Sequence, residues 1–142
     1  MPIWFKDYTL EEVNVRGNGT MVEHLGIVMT ELGNDSLEGT MPVDPRTKQP
    51  VGLLHGGASV ALAETLASTA ANLVLDKDEF YAVGLEINAN HISSCTEGFV
   101  TGVAKPLHLG KTTQVWEIVI RQGDRLVCIS RMTAAVLKKK PR

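Results

Sequence analysis

Cysteine is scarce in this chain, and the shortage argues against a protein held together by disulfides. The sequence has 142 residues and 2 cysteines, Cys95 and Cys128, which are far apart and lie in strand-like stretches. Such a pair is more typical of reduced, buried thiols than of a disulfide framework. The 4 histidines are also scattered, without the short spacing of zinc ligands. They are His24, His55, His91 and His108. The sequence therefore predicts no metal site and no disulfide scaffold.

The chain also lacks an excess of one charge and a long hydrophobic run. Its 14 Lys and Arg residues against 16 Asp and Glu residues give a formal net charge of -2, so no general field attracts nucleic acid. No uncharged run, including the one between Glu64 and Asp76, reaches the about 20 apolar residues of a membrane span. The first residues lack the basic and apolar regions of a secretory signal. We therefore expect a cytoplasmic protein with neither nucleic acid nor a membrane as its partner.

No repeat, low-complexity stretch or linker divides the chain, so 1–142 is read as a single domain. Thr9 followed by Glu12 forms a capping-box pattern that predicts a short helix over 10–15, and a second helical turn is expected over 21–25. A hairpin is expected over 26–32 and 36–43, and a long helix over 57–75. Four strands are expected after the helix, over 81–91, 98–107, 112–122 and 125–137. Successive strands with one long helix indicate an α+β fold, in which an antiparallel sheet carries the helix on one face.

The long predicted helix has no charged face, which is unusual for a helix at a protein surface. Within 57–75 the only charged residue is Glu64. At 100° per residue, Leu62, Leu66 and Leu73 lie opposite Glu64, so we expect them to pack on the sheet. The residues on the side of Glu64 are small or weakly polar: Val60, Ala61, Ala67, Ser68 and Ala71. We expect this second face to be covered as well, most simply by a symmetric partner subunit.

Glu64 has two explanations. A buried carboxylate costs several kcal/mol unless it is paired or protonated. The structural explanation is that Glu64 accepts hydrogen bonds from a partner's backbone, or that the helix is less buried than its composition indicates. The functional explanation is a catalytic carboxylate, with Ser68 one turn later on the same face and Asn72 extending the polar stripe.

The tripeptide His55-Gly56-Gly57 leads into the helix. Two glycines allow close approach of a ligand, and free N–H groups at the positive end of a helix dipole suit a developing oxyanion. The alternative is that His55 only caps the helix or lines a turn. Neither Gly-x-Ser-x-Gly nor a cysteine with a neighbouring histidine occurs, and phosphate-binding glycine motifs are absent, so other hydrolase and nucleotide-binding classes are disfavoured.

Three long stretches of the chain resemble a known family: TMPVDPRTKQPVGLLHGGASVALAETLAS, VGLEINANH and KPLHLGKTTQVWEI. The sequence is similar to the hotdog-fold acyl-CoA thioesterases of the 4-hydroxybenzoyl-CoA thioesterase branch (Arthrobacter type), which includes 1,4-dihydroxy-2-naphthoyl-CoA thioesterases. The resemblance implies an antiparallel sheet wrapped around one long central helix, hydrolysis of acyl-CoA or aroyl-CoA esters without a cofactor, and a homodimer with two interfacial sites. It also implies a homotetramer built from two such dimers.

The resemblance assigns five catalytic residues. It implies that Glu64 is the nucleophile or the general base, and that the Gly56 N–H polarises the thioester carbonyl. Gln49 matches a glutamine near the carbonyl or the water, His55 the histidine beside the oxyanion site, and Ser68 a hydroxyl that assists near the carboxylate. We expect Gln49, His55 and Gly56 of one subunit to meet Glu64 and Ser68 of its neighbour, because nine helical residues place His55 opposite Glu64.

Coenzyme A and acyl-group contacts are also implied by the resemblance. The coenzyme A residues are His91 and the turn residues His108, Leu109, Gly110 and Lys111, for which ordinary strand-end and turn roles are the alternative. The substrate pocket residues are Val51, Thr69 and Asn72. Relatives often have arginine where Ser93 stands, phenylalanine in place of Val51 and a bulkier residue in place of Asn72, so an aromatic acyl group is not assumed.

Two other functions remain open from the sequence. One is a hotdog dehydratase or hydratase, which would also use a histidine and an acid across a dimer. The other is a non-catalytic acyl-CoA-binding module. The His-Gly-Gly sequence before Glu64 favours thioester hydrolysis over both. Glu86, in the predicted strand 81–91, follows an ordinary alternating pattern and is expected on a solvent or interface face.

Overall fold

A computed structural model describes residues 1–141, which form a six-stranded sheet and one long helix. The helices are α1 (Leu10–Val15), α2 (Met21–His24) and α3 (Gly56–Leu73). The strands are β1 (Val28–Leu32), β2 (Leu37–Pro42), β3 (Phe80–His91), β4 (Phe99–Leu109), β5 (Thr113–Gln122) and β6 (Arg125–Lys138). Their order in the sheet is β1-β2-β4-β5-β6-β3, and all neighbours are antiparallel. The predicted α+β architecture is therefore confirmed.

The leucine ridge of α3 packs on the sheet as predicted. Leu62, Leu66 and Leu73 are all 0% exposed, and burial of each such side chain contributes about 1.5–3 kcal/mol. Glycines in the central strands allow this close approach. A Cβ atom at Gly39 or Gly102 would lie 2.9 or 2.7 Å from a methyl carbon of Leu66. The helix is thus held tightly against the middle of the sheet.

The opposite side of α3 is covered in part by the chain itself. Ala67 and Ala71 are 0% exposed, and the Ala71 carbonyl accepts a hydrogen bond from Gln114 Nε2 at 3.3 Å. The expectation that a partner subunit covers this face is therefore wrong for these two alanines, because the strands of the same chain already bury them. Glu64 and Ser68, on the same side, are only half-buried.

The N-terminal segment covers the far end of α3. The Phe5 N–H donates to the Leu73 carbonyl at 2.9 Å, and the Trp4 indole stacks on Trp116 with ring centroids 6.4 Å apart. The capping box predicted at Thr9 is confirmed, since Thr9 and Glu12 exchange backbone and side-chain hydrogen bonds. These contacts satisfy helix-end groups that have no partner within a helix.

The two edge strands of the sheet, β1 and β3, differ in their side-chain contacts and exposure. The Asn14 side chain completes the outer edge of β1 by bonding both the N–H and the carbonyl of Met29. On β3, Tyr81, Val83 and Leu85 are 40%, 39% and 62% exposed. Within residues 1–141, no helix is long and apolar enough to cross a membrane.

Candidate active site

The start of α3 leaves one backbone donor free. His55 is the N-cap residue, with extended backbone angles, and its Nδ1 accepts the Gly57 N–H at 2.8 Å. Its carbonyl accepts from Ala58 and Ser59 at 3.0 and 3.2 Å. Within residues 1–141, the Gly56 N–H has no hydrogen-bond partner. This N–H lies at the positive end of the helix dipole and suits an anionic oxygen.

The capping interaction defines what His55 does within the chain. Because Nδ1 accepts a hydrogen bond, the neutral ring carries its proton on Nε2. The ring therefore fixes the first turn of α3 and presents one donor outwards. The capping alternative raised by the sequence describes this contact, and it leaves Nε2 available for a ligand.

A cavity of about 380 Å³ lies beside the free N–H of Gly56. Gln49, Gly56, His91, Ser93 and Ser94 are among its lining residues. The glycine leaves room for the His91 ring, because a Cβ atom there would lie 2.9 Å from His91 Nε2. The structure therefore brings His91, at the end of β3, together with Gln49 and Gly56.

Two polar side chains of this cavity are held by local contacts. Gln49 Oε1 accepts the Val51 N–H at 2.6 Å, so the carboxamide is oriented by its own loop. The Ser93 hydroxyl donates to the Leu126 carbonyl. Ser93 therefore fixes a loop to the start of β6 at the position where the family resemblance leads one to expect arginine.

Glu64 lies two turns into α3, and its carboxylate has no partner. Its Oε2 atom is buried without a hydrogen bond among the described residues. Burial alone raises the pKa of the Glu64 carboxyl above its ordinary value, because desolvation disfavours the charged form. The Ser68 hydroxyl contacts Met132 Sδ at 3.6 Å rather than the carboxylate. Glu64 is therefore an acid kept partly from water with its proton-accepting oxygens unused.

Glu64 and Gly56 are too far apart to act on one carbonyl within a single chain. They are eight residues apart on α3, which corresponds to about 12 Å along the axis. Reacting groups need to approach within about 3–3.5 Å. We therefore divide these residues into two candidate half-sites: the donor half-site (Gln49, His55 and Gly56) and the acid half-site (Glu64 and Ser68).

The residues expected to bind coenzyme A lie at two opposite ends of the sheet. His91 pairs with Cys128, whereas Thr113, after the β4–β5 turn, pairs with Ala135. The seven-residue separation along β6 corresponds to about 23 Å. One chain therefore does not bring His91 to the β4–β5 turn.

The strand β4 is longer than predicted. It continues to Leu109 through a bulge between Pro106 and His108. His108 and Leu109, expected in a turn, are therefore exposed strand residues. Only Gly110 and Lys111 of the expected group belong to the connection. The shift arises because the extra residue of a bulge prolongs the pairing without a change in local sequence pattern.

The residues expected in the substrate pocket lie on two different elements. Val51 is 77% exposed on the loop that carries Gln49, and Thr69 is half-buried on α3. The Asn72 carboxamide is fully engaged: it donates to the Ser68 and Ala82 carbonyls and accepts the Ala82 N–H, at 2.9, 3.2 and 2.9 Å. Asn72 thus joins α3 to the edge strand β3.

Sequence reasoning missed one residue that lies beside the acid half-site. An ideal Cβ atom at Gly84, on β3, would lie 2.6 Å from Glu64 Oε1. The available signal was a glycine inside an otherwise alternating strand, which often marks close approach of another group. Glu86, the rival acid, is exposed and accepts hydrogen bonds from Asn88. Within residues 1–141, no group of three or more His, Cys, Asp or Glu side chains is placed to hold a metal ion.

Comparisons with known proteins identify the family. Residues 51–129 match the thioesterase superfamily model. The chain is 54% identical over 136 residues to the 1,4-dihydroxy-2-naphthoyl-CoA hydrolase of Escherichia coli, covering 95% of this chain and 99% of the relative. It is 57% identical over 137 residues to the proofreading thioesterase EntH of Cronobacter sakazakii, covering 95% and 98%.

A solved structure of a thioesterase is also similar to this chain. A thioesterase variant from Pseudomonas aeruginosa superposes with a TM-score of 0.95 at 44% identity, covering 96% of this chain and 99% of the other. The wrapped helix and antiparallel sheet are thus the hotdog fold that the sequence resemblance implied. The chain therefore belongs to the thioesterase superfamily and is a hotdog-fold thioester hydrolase.

Proposed function

We propose that this thioester hydrolase acts on acyl-CoA or aroyl-CoA esters in a site shared between two subunits. The observation that carries the proposal is the pair of incomplete half-sites on α3: a free Gly56 N–H and a carboxylate oxygen of Glu64 without a partner. The donor half-site of one subunit receives the thioester carbonyl, and the acid half-site of its partner attacks or activates water. The coenzyme A specificity is supported by the hydrolase of Escherichia coli, whose name includes a CoA thioester.

The proposed chemistry needs no cofactor. A thioester carbonyl is already activated and its thiolate leaves readily, so a positioned carboxylate and an oxyanion donor each lower the barrier by a few kcal/mol. If Glu64 is the nucleophile, its carboxylate forms a mixed anhydride that water hydrolyses. If Glu64 is the base, it takes a proton from the water that attacks the carbonyl. Both routes require the ionised form of Glu64.

The remaining expected residues have supporting roles in this proposal. Gln49 contacts the carbonyl region or the water, His55 holds the first turn of α3, and the Ser68 hydroxyl assists near the carboxylate. Val51, Thr69 and Asn72 lie along the acyl group. The nucleotide phosphates of coenzyme A contact the two expected coenzyme A regions. These regions contain His91, His108, Leu109, Gly110 and Lys111.

The proposed assembly is a homodimer, with two dimers forming a tetramer. The edge strand β3 supports an interface, because Tyr81, Val83 and Leu85 expose apolar side chains along an edge whose pairing is otherwise incomplete. We place this assembly in the cytoplasm, without nucleic acid or membrane as a partner. The balanced charge of 14 basic and 16 acidic residues supports that placement.

The test is a rate panel of aryl, short-chain and long-chain acyl-CoA esters with the wild type, Glu64→Gln and the matched control Glu86→Gln. We expect Glu64→Gln to lower kcat by about 10³-fold or more and to keep CoA-ester binding. Glu86→Gln, which changes an exposed carboxylate on β3, should retain wild-type turnover. Enoyl-CoA hydration measured in parallel tests the dehydratase alternative. A wild type that binds these esters without hydrolysing any of them would favour the binding-module alternative.

A further inference from the structure

A glycine on the edge strand β3 lies beside the Glu64 carboxylate. An ideal Cβ atom at Gly84 would lie 2.6 Å from Oε1, 3.3 Å from Cδ and 3.4 Å from Oε2 of Glu64. Gly84 does not have a positive φ angle, so its backbone accepts an L side chain. The glycine is therefore needed for the space it leaves beside the carboxylate, and not for its conformational freedom.

The strand that carries Gly84 is fixed on both sides. Two residues earlier, the Asn72 carboxamide bonds both backbone groups of Ala82, which attaches β3 to α3. On its other side, Gly84 pairs with Ala134 of β6. A bulge between Gly84 and Glu86 then changes the register of the strand, and bulges often serve to redirect neighbouring groups.

The two partners of this contact differ in how easily they move. β3 is held by a strand ladder and by Asn72, whereas the carboxylate lies at the end of a flexible side chain without a hydrogen bond of its own. An added methyl group at position 84 would therefore displace the carboxylate rather than the strand. A shift of about 1 Å in a reacting group is enough to lower a rate by about 10²-fold.

We propose that Gly84 is a positioning residue for thioester hydrolysis: it leaves the space in which the Glu64 carboxylate is held, at a distance set by the Asn72–Ala82 contact. This inference rests on the proposed catalytic role of Glu64. It assigns a function to a glycine that has no side chain of its own and acts only through the side chain beside it.

A second glycine supplies a matched control. A Cβ atom at Gly102 would lie 2.7 Å from Leu66 Cδ1, so Gly102→Ala crowds the same helix to nearly the same extent. Leu66 is a buried core residue two positions after Glu64. The two substitutions thus separate displacement of the carboxylate from general crowding between helix and sheet.

The first experiment compares kcat, KM and Tm of Gly84→Ala and Gly102→Ala. We expect Gly84→Ala to lower kcat by about 10- to 100-fold, with KM within about threefold of wild type. Gly102→Ala should keep kcat within about threefold, although it lowers Tm through overpacking. Equal losses of kcat in the two variants would overturn the proposal.

The second experiment asks whether the effect passes through Glu64. In a Glu64→Asp background the shorter side chain no longer reaches Gly84, so Gly84→Ala should change the residual kcat by less than about twofold. A crystal structure of Gly84→Ala gives a readout independent of turnover: the carboxylate should be displaced while β3 keeps its place. An undisplaced carboxylate, or the same loss of kcat in both backgrounds, would overturn the proposal. If Glu64→Gln itself retained turnover, the proposed function would fail, which is a different result.

Discussion

The two half-sites of α3 differ in how their polar groups are satisfied. At the start of the helix, the His55 side chain and carbonyl accept three backbone N–H groups and leave only the Gly56 N–H free. Two turns later, Glu64 has a buried oxygen with no hydrogen-bond partner among residues 1–141. The polar groups of the donor half-site are held by hydrogen bonds within one chain, whereas the carboxylate of the acid half-site lies beside a glycine. In the proposed function, hydrolysis begins only when the two half-sites meet.

After loss of the Glu64 carboxylate, the largest expected effect in this comparison comes from deleting the donor. Gly56→Pro removes the N–H at the first helical position, where proline is favoured, and the extended His55 backbone is compatible with a following proline. Loss of one oxyanion donor should lower kcat by about 10²–10³-fold.

The control for this prediction is Gly56→Ala, measured with the same substrate. Its Cβ atom crowds His91 Nε2 in the same way, at 2.9 Å, but the N–H remains. We expect a much smaller loss of kcat. Equal losses for alanine and proline would mean that crowding of His91, and not the missing donor, limits the rate.

The next expected effect concerns the response of the acid half-site to pH. Burial raises the pKa of the Glu64 carboxyl above its ordinary value of 4.5. Because both proposed routes need the carboxylate, kcat/KM should fall as the pH drops through this raised pKa. The acid limb of the pH profile checks this, and a limb below the ordinary value would contradict the burial.

Stability should follow the opposite trend. A carboxyl whose folded pKa exceeds its unfolded pKa binds the proton more tightly in the folded state, so its ionisation destabilises the fold as pH rises between the two values. Glu64→Gln should therefore raise Tm near about pH 7, and the gain should vanish below the unfolded pKa of about 4.3. Glu86→Gln, at an exposed carboxylate, should show no such gain.

The smallest expected effect on turnover comes from Asn72. Its carboxamide bonds Ser68 and Ala82, so Asn72→Ala should lower the free energy of unfolding by about 1–3 kcal/mol. It should change kcat less than Gly56→Pro does. Urea unfolding measures the loss of stability, and KM values across acyl groups test the pocket role. A large KM change without a loss of stability would favour a direct contact of Asn72 with the acyl group over a structural role in joining α3 to β3.

The sequence was most informative where its signals are local or periodic. The capping box of Thr9 and Glu12 lies within four residues, and the leucine ridge of α3 repeats with the helical period, so both were predicted correctly. Glu64 stood out because it is the only charge in its helix. Its partial burial agrees with the apolar composition of that helix, whereas the missing hydrogen bond of Oε2 was not predicted.

Contacts between a helix and a strand were not visible in the sequence. The approach of Gly84 to Glu64 and the Asn72 contact with Ala82 depend on where β3 crosses α3, and no periodic pattern encodes that crossing. Alanines on the second face of α3 were assigned to a partner because periodicity identifies a covered face but not what covers it. The extension of β4 beyond the bulge near His108 was not predicted for a similar reason. The extra strand residue of a bulge leaves the alternation on either side unchanged.

The central claim is that one site combines the donor half-site of one chain with the acid half-site of another. Glu64→Gln and Gly56→Pro chains, each nearly inactive alone, can be unfolded, mixed in equal amounts and refolded together. If the site is shared, half of the dimers carry one intact site of two, and the mixture should recover about a quarter of wild-type activity. If the mixture stays as inactive as its separate components although mixed dimers form, the site lies within one chain and the account is contradicted.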